Sequence, residues 1–514
     1  MKSTGFLITV FALASLMASP QNVNTRLFTI FTSAGCGCTG SGGAPLNFTT
    51  HEMVLADLKN VCSGVEFIRW EGNYSSAVEE VSNNEDKYDG VLIIGRISGD
   101  YRLAFTGLPT IVVYNLFEFM DGQPYDLFNT GRMDEEKNIL KGGTDYKEKR
   151  ILTAQLDRRN LCSPDAREAM WNDLIYKINL LRIVNELSKT RILMVKRNND
   201  EIIASVNYRG DFNQTFPRDH NARYVQNFKE LFGVEIVPVE PEEFYDTYSK
   251  VNPAKAEETA DQWIRAARKV EASTSEIIKT ARGYLALEAL RQKYNCNSVS
   301  THIRSVSGSG ELKDLYNPGL GLELGFKTKG IQAVCQNYPD IILTQVLAFL
   351  LTGRPSMLGD FIYDPFNSTE ILLHCGIPVN PWGDDRRLPY TIRTHAESPV
   401  RDKPDEPGSS TGITAEWPAG EPVTFWEIHS LTREIRLNTA EIVNGKLIYN
   451  GGEDIDNVMC TGKIIAKVDD AKKLQDQFKP YLHGIHTSAT LGDLRQQIKD
   501  VAVLLGLNVI ESDR

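Results

Sequence analysis

The residue types best suited to chemistry gather around one short unit. The stretch AVCQNYPDIILTQVL, Ala333 to Leu347, sets a polar Cys-Gln-Asn-Tyr-Pro turn ahead of an apolar run, and LTGRPSMLGD then carries the chain to Asp360. A helix over Ile341 to Leu351 travels about 16 Å, and an extended return from Arg354 to Asp360 covers about 20 Å. A helix out and a strand back bring Gln336 and Asp360 to the same end of the unit. A further short strand, Ile371 to His374, delivers His374 to that edge as well. In open α/β sheets the edge outside the carboxyl ends of the strands is where ligands bind. Each residue also has a plainer reading: Gln336 as a helix-start residue, Asp360 as a turn former, and His374, beside Cys375, as a satisfied core histidine.

The elements that would position this unit are legible on both sides of it. From Arg26 the β-rich runs RLFTIFTSA, VEFIRW, GVLIIG and PTIVVYN recur at intervals that hold one helix each, as expected of a parallel sheet covered on both faces. A charged stretch from Asp121 to Lys149 reads as a linker or surface excursion. The pattern restarts with RILTAQL, a helix over Pro164 to Ser188, RILMVKR and VEIVPVE. A long helix then opens at Ser273, which with Glu276 forms a capping box ahead of an apolar stripe. No GxGxxG loop is expected between strand and helix in either half, and GLGLELG from Gly319 reads as a loop after the Asn317-Pro318 turn. Past Pro378 the chain is rich in Pro, Gly, Ser and Asp, and VTFWEIHS, EIRLNTAEIV and KLIYN alternate like strands of an antiparallel barrel or sandwich. A last helix, Leu491 to Leu504, and the strand LNVIE finish the chain. The predicted fold is α/β: two tandem Rossmann-like parallel-sheet domains, 25–149 and 150–350, followed by a C-terminal β-rich, barrel-like domain, 351–514.

Composition narrows the partners. A chain of 514 residues, 41% hydrophobic and 24% charged, is long enough for about three domains and a buried cleft. Its net charge of -11, with no basic block, argues against nucleic acid or an anionic membrane surface as the main partner. A small neutral or metal-bound substrate fits better. Residues 1–20 carry Lys2, an apolar run from Phe6 to Ala18 and Ser19-Pro20, the layout of a secretory signal and too short to span a bilayer. The expected location is therefore secreted or periplasmic, or cytoplasmic if this segment is instead an uncleaved strand or helix. The eight cysteines, at 36, 38, 62, 162, 296, 335, 375 and 460, form no disulfide framework, and Cys36-Gly37-Cys38 lacks CxxC spacing.

Four local segments, CQ before the helix, LTGRPSMLGD after it, HCG at His374 and GIHTSATLGDLRQQI near the end, resemble the L-fucose and L-arabinose isomerases and their isomerase-like relatives, in order and near their spacings. THAES, Thr394 to Ser398, resembles a segment of the uncharacterised branch. No run of the sequence is long and apolar enough to predict a membrane span, and the resemblance implies a homo-oligomer, trimer or hexamer, acting on a small sugar. It also implies Mn²⁺ or another divalent cation, held at the positions of Gln336, Asp360 and His486, with His374 matching a further histidine of the arabinose-type site. Such enzymes move a carbonyl between C1 and C2: the ion stabilises an enediolate while carboxylates shuttle the proton. Asp360 and Gln336 fall at the catalytic positions. The chain departs from the pattern in having Gln336 for the acid, since an amide coordinates weakly and cannot relay a proton at neutral pH. Asp340, Glu397 or a bound hydroxide are the candidates to take over. His395, Glu397 and Tyr338 are candidate substrate contacts, Tyr338 by stacking on a sugar face, although each also reads as a packing or solvated residue. His483 shares the approach to the last helix with His486.

Overall fold

A computed structural model describes residues 25–32, 49–95, 102–115, 150–197, 220–306, 312, 317–395, 410–449, 462–477 and 486–514. The expected signal segment, the Asp121–Lys149 excursion, Cys36, Cys38, Glu397, Cys460 and His483 lie outside the described residues.

Short β-branched runs make two all-parallel sheets. The first pairs β1 (Thr25–Thr32), β2 (Val65–Arg69), β3 (Gly90–Gly95), β4 (Thr110–Asn115) and β5 (Ile151–Leu156) in the order β2-β1-β3-β4-β5. Strands β3 and β4 are buried along their whole length, as expected where helices cover both faces. Strand β5 pairs in parallel with β4, so RILTAQL closes the first sheet instead of opening the second. Local pattern identifies a strand; which sheet it joins is decided by packing far along the chain. The connection from β1 to α1 (His51–Val61) carries Gly35, Gly37 and Gly40, a GxGxxG spacing, contrary to the sequence expectation. Those glycines lie outside the described residues.

The second sheet pairs β6 (Arg191–Val195), β7 (Glu235–Val239), β9 (Ser298–Thr301) and β10 (Ala333–Cys335) in the order β10-β9-β6-β7. The expected helix over Pro164–Ser188 is present and capped by Ser163, whose Oγ accepts the Ala166 N–H. Ser273 caps the helix Thr274–Lys293 in the same way, through the Glu276 N–H at 3.3 Å. The capping box is only half made, because the Glu276 carboxylate takes the Ser410 N–H. A two-residue strand β8 (Lys269–Val270) joins β13 (Tyr390–Thr394) and β14 (Thr411–Ala415) in a small separate sheet.

The remaining strands form a large mixed sheet. β11 (Met357–Asp364), β12 (Thr369–His374), β15 (Pro422–His429), β16 (Glu434–Ile442), β17 (Gly462–Lys467) and β18 (His486–Leu491) pair in the order β15-β18-β11-β12-β17-β16. A further β15–β16 pairing closes the ring, and β19 (Asn508–Glu511) adds in parallel to β16. Met357, Leu372, Phe425, Ile464 and Ala489 share the core inside the ring. Leu358 and Trp426, one residue out of phase, join the core shared with the helix Pro339–Thr352 outside it. This alternation places Asp360, in phase with Leu358, on the outer face.

GLGLELG is helical, with a π-helical stretch over Leu322–Phe326. Glycine is required there because the Tyr284 ring lies against the backbone: a Cβ on Gly325 would stand 2.3 Å from Tyr284 Cδ2. KLIYN is not a strand, since Asn444 accepts the Lys446 N–H and caps a short helical turn, Gly445–Ile448. The last helix runs Arg495–Leu505, as Leu491 ends β18. Among the described residues no helix is long and apolar enough to cross a membrane.

Inside the ring, Glu370 is fully buried, accepts from Asn438 Nδ2 at 2.6 Å and leaves Oε1 without a hydrogen-bond partner. Burial pushes its carboxyl up to about 7, with Arg436 and Asn438 opposing and Asp513 adding to the rise. The folded value lies above the unfolded one, so the protein holds this proton more tightly than the unfolded chain does. The associated stability is complete below the unfolded value and is lost as pH rises through the folded one, a difference of about 3 kcal/mol. Glu370→Gln is therefore expected to gain stability relative to the native chain at pH 8 and much less at pH 5. Urea unfolding at the two pH values reads this out, and a pH-independent difference would refute it.

Candidate metal and sugar site

The strand register builds the core of the site. In the antiparallel β11–β18 pair, Asp360 stands directly opposite His486, where side chains on one face meet. Asp360 Oδ1 and His486 Nε2 are 3.0 Å apart. Both atoms, and His486 Nδ1, are buried without a partner in hydrogen-bonding geometry. The Asp360 side chain is nonetheless 35% exposed, so its accessible part includes Oδ2 and not Oδ1. Strand β11 continues to Asp364, so Asp360 sits mid-strand and not at a strand end as the sequence suggested.

Around this pair stand the other candidates. Gln336 follows β10 with φ +89°, a conformation that favours glycine. Its N–H donates to the Thr301 carbonyl, and its own carbonyl accepts from Ser300 Oγ and the Tyr338 N–H at 3.0 Å each. A strained non-glycine position of this kind costs about 1–3 kcal/mol and persists where surrounding contacts enforce it, often at functional sites. Gln336 does not cap the following helix, whose N-cap is Tyr338. The Gln336 Nε2 amide is 3.3 Å from His374 Nε2, and the His374 ring lies 5.6 Å from that of His486. Gln336 and Asp360 thus join one cluster through two imidazoles. Tyr338 packs its ring on His486 with centroids 4.3 Å apart, so it supports the histidine as well as bordering the opening.

The electrostatics divide the group. Burial raises the Asp360 carboxyl, but the close approach of His486 and the more distant His374 outweigh it and hold it below the usual carboxylate range. Burial, reinforced by His486, pushes His374 down to about 3, so it stays neutral. Burial, then Asp360 and Glu427, raise the Tyr338 hydroxyl. The result is an ionised carboxylate and a neutral imidazole, the forms that bind metals.

Other expectations fare differently. His395 is buried away from the opening, with Nε2 3.1 Å from Cys375 Sγ and 2.7 Å from Asn317 Nδ2, and burial lowers it to about 4. Asp340 is fully buried at the helix start, where Oδ1 accepts the Ser430 N–H at 3.1 Å. Burial raises it to about 6, and its hydrogen bond ties it to the residue that follows β15. Glu427, absent from the sequence expectations, is a buried acid whose charge bears on Tyr338 and whose carboxyl Asp340 helps to raise. Its place in the alternating strand VTFWEIHS, among apolar inward residues, was the available signal.

Two ligands at right angles around an ion with bonds of about 2.1 Å stand about 3.0 Å apart, which is the observed Asp360–His486 spacing. That spacing is compatible with a divalent cation as well as with a direct ion pair, and neither atom has a partner in hydrogen-bonding geometry. Among the described residues no group of three or more His, Cys, Asp and Glu side chains is placed to hold an ion; the Gln336 amide and His374 are the polar groups that stand beside the pair. Compared with protein-family models the chain matches none, and it finds no match among curated proteins.

Proposed function

We propose that this chain is a metal-dependent aldose–ketose isomerase of the L-fucose and L-arabinose isomerase type, organised as two tandem Rossmann-like domains and a barrel-like C-terminal domain. The single observation that carries the reading is the Asp360–His486 pair, two buried atoms at ligand spacing without hydrogen-bond partners, on a carboxylate that is itself partly exposed. Asp360 Oδ1, His486 Nε2 and the Gln336 amide oxygen would hold Mn²⁺ or a similar ion. When bound, the ion supplies polarisation of the sugar's carbonyl and hydroxyl oxygens.

The residues do the rest. The exposed Oδ2 of Asp360, held ionised, takes the proton from C2 of the aldose and returns it to C1. The O2 proton passes to O1, so the product is an isomer with no atom gained or lost. His374 fixes the Gln336 side chain, and Tyr338 shields His486 from water. An assay of the metal-loaded protein over pentoses and deoxyhexoses is expected to yield a ketose. No turnover of any sugar with the ion bound would remove the enzymatic reading.

Gln336 supports a second reading, an exported relative that binds a sugar without isomerising it. With an amide where the family has an acid, one carboxylate is left at the opening to move protons. Sugar binding without turnover is the outcome this second reading expects.

A further inference from the structure

Behind His374 lies a pair of buried charges to which the site described above assigns no part. The side chains of Lys327 and Glu323 are 1% and 7% exposed. Lys327 Nζ donates to Glu323 Oε1 at 2.9 Å and to the Ser356 carbonyl at 2.8 Å, while Glu323 Oε2 is buried without a hydrogen-bond partner. Glu323 belongs to the π-helical stretch Leu322–Phe326, a rare geometry that is frequent at functional sites. Stability alone is a poor reason for such a pair, because apolar residues of similar volume usually hold a core as well or better.

Its two anchors are informative. Ser356 immediately precedes β11, the strand that carries Asp360. Glu323 lies against Gly376, just past His374: a Cβ there would stand 2.8 Å from Glu323 Cγ. The absence of a side chain at Gly376 is what lets the carboxylate arm approach the chain leaving β12. Lys327 is also close enough for its charge to act on His374.

We propose that the Glu323–Lys327 bridge is a positioning device that ties the start of β11 to the end of β12 and so sets Asp360 and His374 relative to one another for ion binding. This rests on the metal reading of the site. Glu323 and Lys327 touch neither ion nor sugar; they act through the two strands.

The test is the double variant Glu323→Leu/Lys327→Met, which removes both charges at similar volume, with Mn²⁺ affinity and melting temperature measured beside the native chain. The expected result is an unchanged or higher melting temperature with Mn²⁺ bound about 10- to 100-fold more weakly, the range for groups that orient ligands. Glu323→Gln, which keeps an acceptor oxygen for Lys327, is expected to bind nearly as the native chain does. A folded double variant with native affinity overturns the proposal. Should the double variant not fold, Glu323→Asp shortens the arm by one methylene, and native affinity in that variant overturns it equally. A native chain that binds no Mn²⁺ sinks the metal reading itself, an outcome separate from either of these.

Discussion

Gln336→Glu is expected to raise ketose formation by about 10²-fold or more, the scale on which a positioned proton-transfer group acts. The substitution is isosteric, so the backbone at φ +89° carries the same strain in both proteins and the fold should be unaffected. What changes is the capacity to take and return a proton, which an amide lacks. Asp360 would otherwise act alone: among the other described acids near the site, Asp340 is held by Ser430, and Glu427 is buried with its carboxyl pushed well above the usual range, first by burial and then by Asp340. The new carboxylate would face His374, whose Nε2 is 3.3 Å from the present amide, and would also add a charged donor for the ion. Initial rates on a sugar panel decide the matter. An unchanged or lower rate would mean that the amide serves a working mechanism of its own and that the native site is not impaired.

His486→Ala and Asp360→Asn are expected to have the largest effect on ion binding. Each removes one of the two donors that stand 3.0 Å apart, and loss of a direct ligand should exceed the 10- to 100-fold, roughly, that attends loss of a supporting group. A ligand that binds only the folded state stabilises it by about 2.7 kcal/mol at a hundred times its dissociation constant. Added Mn²⁺ should therefore raise the melting temperature of the native chain and leave both variants where they were. In the metal-free state Asp360→Asn removes a carboxylate that the neighbouring imidazoles hold low. That native contribution is present above the unfolded carboxylate range and lost as pH falls through the lower folded value. The variant should thus lose stability at neutral pH and match the native chain in acid.

The elements were easier to foresee than their assembly. Runs such as GVLIIG and RILMV announce strands because an apolar β-branched stretch of that length has few other stable forms, and the helix Pro164–Ser188 announces itself by its Ser163 cap and proline. RILTAQL was equally visible, but its place beside β4 depends on a pairing that no local pattern encodes. GLGLELG reads as a loop because glycine weakens an isolated helix by about 1 kcal/mol, whereas here Gly325 admits the Tyr284 ring and Gly321 its Cβ. In the site, the meeting of Gln336 with His374 and of Asp360 with His486 agrees with the gathering expected at this edge. The means differ, since Asp360 is placed by cross-strand register and not by the end of its strand. His395 was out of reach of sequence reasoning, because its burial against Cys375 and Asn317 follows from tertiary packing alone. The same holds for the Glu323–Lys327 bridge, whose anchors Ser356 and Gly376 converge only in the folded chain.

The most direct test of the central claim is a calorimetric titration of Mn²⁺ into the metal-stripped native chain and into His486→Ala. The Asp360–His486 pair predicts one ion per chain in the native protein and none in the variant. No binding to the native chain, or equal binding to both, would contradict it.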